Sequence, residues 1–239
     1  MTLEHDHSED GIRARLAEDS RPNYLRDWVY GGIDGAVTTF AIVAGVVGAA
    51  LSTKVILILG LANLLADGFS MAASNYSGTK TEVDDMKRLR EVERKHIRMA
   101  PDGERQEIRQ ILRNKGLDGA ALEQAVHAIT SNEETWVNTM LVEEYGVAPV
   151  IRDPLRSALA TFAAFVLCGA VPLLAYLTPL DDPFTASLVM TAAVFFAIGT
   201  AKSVWSLQPW WRSGIETLVI GMAAAGMAYG VGYLLRGIG

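Results

Sequence analysis

At 239 residues, half of them hydrophobic and with a positive mean hydropathy, the chain is too apolar for an ordinary soluble protein, yet 20% of it is charged. Apolar and charged stretches in alternation imply membrane and aqueous parts. A net charge of −6 without a basic aromatic patch argues against nucleic acid as a partner, and the one cysteine, Cys168 inside an apolar run, leaves no disulfide or thiolate cluster.

Residues 1–20, MTLEHDHSEDGIRARLAEDS, are acidic and polar and read as a disordered tail, not a cleaved signal peptide. His5 and His7 belong to that tail. Residues 21–79 hold two apolar segments, about 30–51 and 55–77, with Trp28 and Tyr30 as interfacial anchors. As a helix, each is long enough to cross a hydrocarbon core of ~30 Å.

The composition changes sharply at Lys80: residues 80–156 carry 13 Lys/Arg and 15 Asp/Glu. We read 80–153 as a helical, mixed-charge aqueous domain inserted between spans two and three. Its first helix, 80–99, continues out of the second span. Pro101 starts the next, which stops at Asn114-Lys115-Gly116. A third covers 118–130, and Ser131 with Glu134 forms a capping box for a fourth ending at Gly146. Residues 154–239 supply three more spans, about 155–177, 184–206 and 213–235, the last with Gly226 and Gly230 as a close-packing pair. The expected fold is all-α, an integral membrane protein with five transmembrane helices. Lysine and arginine concentrate in the N-terminal arm and in the 80–156 region, which puts both on the cytoplasmic side. No strand alternation and no nucleotide-binding loop is present.

Several costly side chains lie where water is scarce. On a helical projection of the second span, Asn63, Asp67, Ser70, Met71 and Ser74 share one side, and in the first span Asp34 opens a stripe of small residues. An ionisable group inside a membrane marks a pathway or a counter-ion, and aspartate beside a thioether suits a borderline divalent metal. In the aqueous domain, Glu93 and His96 sit within the Met86, Leu89 and Ile97 stripe. Glu104 lies on the Ile108 stripe with Glu107 at its edge, and Met140 and Glu144 face inward with Trp136. Carboxylates turned toward a packing interface need internal salt bridges or cations, and the basic residues of the first two helices mostly point the other way, which favours a metal over a purely structural polar core. Glu123 and His127 fall opposite their apolar stripe and read as a solvated pair.

The stretches DGAVTTFAIVAGVVGA, GLANLLADGFSMAASNY, PDGERQEI, WVNTMLVEEYGV and SGIETLVIGMAAAGMAYGVG together resemble the vacuolar iron transporter family. The resemblance implies a five-span homodimer with its route between the first spans. It also implies a carrier, not an enzyme, that moves Fe²⁺ and often Mn²⁺ out of the cytosol in exchange for protons, with no organic cofactor. Asp34 and Met71 match the family's membrane ligands. Glu93, Glu104, Glu107, Met140 and Glu144 match its cytosolic metal-binding domain. His96 stands where the family usually has glutamate, and Leu141 where a second methionine is usual, which leaves Zn²⁺ and Co²⁺ open as substrates.

Asn63, Asp67 and Glu216 are further candidates for the pathway or for the coupled proton; Glu216 is equally well placed to pair with Lys202 or Arg212. The alternative function is a membrane-anchored di-iron oxidase, because Glu93-Arg94-Lys95-His96 is one Glu-x-x-His step of the kind used in ferritin-like sites. The expected location is a bacterial plasma membrane, with a vacuolar membrane as the alternative.

Overall fold

The computed structural model describes residues 6–17, 22–147 and 152–237. Among them the regular elements are all helical: α1 (Glu9–Ala17), α2 (Leu25–Gly48), α3 (Thr53–Met99), α4 (Pro101–Asn114), α5 (Gly119–Thr130), α6 (Glu133–Glu143), α7 (Pro154–Leu174), α8 (Pro183–Lys202) and α9 (Trp210–Leu235). Five of them, α2, α3, α7, α8 and α9, are long and apolar enough to cross a membrane. The second span and the first aqueous helix are one uninterrupted helix of 47 residues.

Within the stretch 1–20 read as a disordered tail, residues 9–17 form α1. The Gly11 N–H donates to Ser8 Oγ at 3.1 Å, and Glu9, Asp10 and Arg15 sit at the ends that suit the helix dipole. None of its residues is buried, so these local terms are what favour it. His5 lies outside the described residues.

The chain divides into two compact units. In the unit of residues 24–79 and 153–239, α2 packs against α7, α8 and α9. Glycine permits this closeness: a Cβ on Gly35 would run into the Phe165 carbonyl of α7, and one on Gly232 into the Gly45 carbonyl of α2. Gly226 and Gly230, expected to be the close-packing pair, have nothing within 4 Å of an added Cβ among the described residues. Phe40, Val43, Leu64 and Phe165 form the apolar core, and Phe40 stacks on Phe184 at 6.3 Å. Leu61, Leu65 and Phe69 are exposed on the opposite side of α3, as lipid contact requires. Asp153 and Asp182 cap α7 and α8, accepting from the N–H groups of Arg156 (2.7 Å) and Thr185 (3.1 Å).

The other unit contains residues 80–152. Here α4, α5 and α6 bury Ile108, Leu122, Val126, Trp136 and Met140 together. The stop of α4 at Gly116 is a Schellman turn: Gly116 has φ +91° and the Leu117 N–H returns to the Leu112 carbonyl at 3.1 Å. The cap of α6 differs from the expected capping box. Asn132, not Ser131, accepts from the Thr135 N–H at 2.9 Å, and Glu134 instead pairs with Arg90 and Arg94.

Candidate metal centre

The C-terminal end of α3 and the first turn of α4 meet at a tight reversal around Ala100. Its N–H bonds the His96 carbonyl at 2.8 Å, and its own carbonyl accepts from the Glu104 N–H at 3.1 Å. Pro101 at the start of α4 suits that reversal, since its missing N–H has no helical partner to lose. The outcome is that Glu93, His96 and Glu104 come together, one ligand atom from each lying within 4.8 Å of the others. His96 Nδ1 is 3.6 Å from Glu93 Oε1 and 3.6 Å from Glu104 Oε1. Glu93 is 0% exposed and Glu104 5% exposed, whereas His96 is open to solvent.

Burial is the largest influence on the Glu104 carboxyl, which is pushed up to about 7; the charges of Glu107, Glu93 and Glu144 add to it. Glu144 is also raised, by burial and then by Glu93 and Glu107. Glu107 and Glu144 are themselves surface residues, so they form the outer edge of the same acidic group. Met140 is fully buried in the apolar cluster with Ile108 and Trp136.

Four of the basic residues of this unit, Arg94, Arg105, Arg109 and Lys115, are committed elsewhere. Arg94 bonds Glu91 at 2.7 Å and Glu134 at 3.1 Å, and Arg109 grips Glu123 at 2.7 and 2.9 Å. Glu123 is thus paired with Arg109, where a solvated pairing with His127 was expected. Lys115 takes Glu143 at 2.7 Å, and Arg105 lies over the Trp136 ring. Among the described residues no lysine or arginine is paired with Glu93 or Glu104, and the Oε2 atoms of both are buried without a hydrogen-bond partner. Uncompensated buried charge of this kind costs several kcal/mol unless a cation or a proton neutralises it.

In the other unit, Asp34 and Asp67 are half-buried on α2 and α3, close enough to act on one another electrostatically. Asn63 donates to Thr38 Oγ1 at 3.1 Å and to Thr39 Oγ1 at 3.4 Å, so it ties α3 to α2. Met71 packs beside the Phe40 and Leu64 core. Glu216 lies 4.0 Å from Lys202, and both are substantially exposed.

The sequence model of the VIT family matches residues 25–233, which is most of the chain. The chain belongs to the VIT family. Among its relatives, the vacuolar iron transporter of Toxoplasma gondii is 32% identical over 226 residues, covering 90% of this chain and 75% of that protein. Vacuolar iron transporter 1 of Arabidopsis thaliana is 33% identical over 208 residues, with 86% and 83% covered. Vacuolar iron transporter 2 of Oryza sativa subsp. japonica is 30% identical over 246 residues, with both chains fully covered.

Two groups in this VIT-family chain were missed in the sequence. Tyr145 donates to Glu93 Oε1 at 2.9 Å. Its place directly after Glu144 was the available signal. Asp27, 2% exposed, accepts from Asn75 at 2.8 Å. Spacing was the signal for the second, since Asp27 is seven residues before Asp34 and Asn75 four after Met71.

Proposed function

We propose that this protein carries a divalent metal, Fe²⁺ and also Mn²⁺, out of the cytosol across its membrane in exchange for protons. The observation that carries this reading is the buried pair Glu93 and Glu104, which share a site with His96 and have no basic partner among the described residues. The names of the relatives agree with iron as a substrate. Glu93, His96 and Glu104 collect the ion, Glu107 and Glu144 draw it in by charge, and Met140 is the soft ligand of the set. Carboxylate oxygens and imidazole suit Fe²⁺ and Mn²⁺, and Zn²⁺ or Co²⁺ compete for the imidazole. The ion then passes to Asp34 and Met71 in the membrane-spanning unit. Protonation of Asp34 or of its neighbour Asp67 releases it on the far side, which couples efflux to a proton gradient. The working assembly is a homodimer whose N-terminus and 80–153 domain are cytoplasmic, in a plasma membrane or the equivalent vacuolar one. Uptake of Fe²⁺ into proteoliposomes with an imposed pH gradient tests this: Asp34→Ala abolishes flux, and undiminished flux in that variant removes Asp34 from the pathway.

The meeting of a Glu-x-x-His step with Glu104 also favours a second reading, iron oxidation at a ferritin-like site. Oxygen uptake on adding Fe²⁺ to the detergent-purified protein separates the two: turnover supports the oxidase, and its absence the carrier.

A further inference from the structure

Among the described residues, Tyr145 is the polar group bonded into the acidic site that the transport reading leaves without a task. It follows the last turn of α6, where Gly146 adopts φ +65° and the Val147 N–H closes on the Leu141 carbonyl at 2.9 Å. The positive φ favours glycine, and the reversal brings the Tyr145 ring against Leu89, Val137 and Leu141. From there its hydroxyl reaches Glu93 Oε1, 52 residues away in sequence.

The consequence for Glu93 follows from its burial. A carboxylate at the surface exchanges partners with water and turns freely, but Glu93 is fully enclosed. Its two oxygens are therefore unlike. Oε1 is taken by the phenol, while Oε2 has no partner. A hydrogen bond to a ligating carboxylate fixes which lone pairs remain for a metal, and losing such a partner typically weakens binding by about 10–100-fold. Two oxygens binding together favour larger, oxygen-preferring ions, whereas one oxygen beside an imidazole favours ions of low coordination number.

We propose that Tyr145 is a positioning residue of the metal centre: its hydroxyl holds Glu93 as a one-oxygen ligand and thereby biases the centre toward Co²⁺ and Zn²⁺ over Mn²⁺. The proposal rests on reading Glu93, His96 and Glu104 as a metal site. The hydroxyl also bonds the Glu144 carboxyl, so what disappears with the Glu93 carboxylate is the part of its effect that runs through Glu93.

The test uses the full chain in detergent, with Co²⁺ and Mn²⁺ as probes and the visible bands of Co²⁺ as a record of its ligand geometry. Tyr145→Phe keeps the ring that packs on Leu89 and removes only the donor. It is expected to weaken Co²⁺ about tenfold or more, to weaken Mn²⁺ less, and to alter the Co²⁺ bands. In a Glu93→Gln background the same change is expected to do much less, since only the Tyr145 bond to Glu144 is then left to lose. Parent-like Co²⁺ affinity and bands in Tyr145→Phe overturn the proposal. So does equal weakening of both ions, or an undiminished effect in the Glu93→Gln background, since a merely structural role produces those results. A parent protein that binds no Co²⁺ at all refutes the metal-site reading itself, and the Tyr145 proposal with it.

Discussion

Asn75 on α3 donates to the Asp27 carboxylate of α2 at 2.8 Å, and the same amide nitrogen lies 2.7 Å from Thr161 Oγ1 and 3.2 Å from the Ser157 carbonyl of α7. One side chain thereby ties three membrane-spanning helices at a point where Asp27, Ser157 and Thr161 are all buried. Buried polar groups that lose a partner keep their desolvation cost, although hydrogen bonds between helices in membranes are worth less than in water-soluble cores. Replacing Asn75 with Ala is therefore expected to cost about 1–2 kcal/mol. A thermal unfolding midpoint in detergent equal to that of the parent would contradict this.

A second expectation concerns close packing. A Cβ on Gly232 meets the Gly45 carbonyl of α2, while one on Gly226 meets nothing within 4 Å among the described residues. Overpacking of this kind typically costs about 1–3 kcal/mol. Gly232→Ala should lower the unfolding midpoint and Gly226→Ala should leave it in place. Equal effects of the two substitutions would show that α2 and α9 do not approach as described.

The acidic site should make stability and metal binding depend on pH in opposite senses. Glu104 rises from an ordinary 4.5 to about 7 in the folded chain, so the metal-free folded state holds more protons than the unfolded one between those values. The contribution of Glu104 is thus fully present below 4.5, falls as pH rises through that window, and is lost above about 7, a difference of about 3 kcal/mol. Without metal, the stability of Glu104→Gln relative to the parent should increase from pH 5 to pH 8. Metal needs the ionised carboxylate, so affinity in the parent should fall as pH drops through 7. Chemical denaturation of both proteins across this range, with and without Co²⁺, checks each sign; a flat difference refutes the burial argument.

His96 offers a test of ion choice. It supplies a nitrogen 3.6 Å from each of two carboxylate oxygens. Imidazole suits Zn²⁺ and Co²⁺, while a further carboxylate suits Mn²⁺. His96→Glu should raise the Mn²⁺ to Zn²⁺ affinity ratio about tenfold, the usual order of effect for changes around a metal. Competition titrations measure it directly, and an unchanged ratio places His96 outside the centre.

The number and order of the apolar spans were legible from residues alone. Runs of some 20 apolar residues leave few alternatives in lipid, and Pro101 and Gly116 act locally, through fixed φ and positive φ. The inward aim of Glu93 and Glu104 was legible too, because a helix repeats every 3.6 residues whatever it packs against. Tertiary structure decided whatever depends on a partner distant in sequence. Only the packing of α2 against α9 shows that Gly232, rather than Gly226, is the close contact, and only the meeting of α3 with α6 shows that Glu134 serves Arg90 and Arg94 instead of a capping box. Tyr145 reads as an ordinary aromatic until the turn at Gly146 brings its hydroxyl to Glu93. Periodicity tells which side a residue occupies, but a hydrogen bond needs two atoms within about 3 Å, and that distance exists only once the chain has folded back on itself.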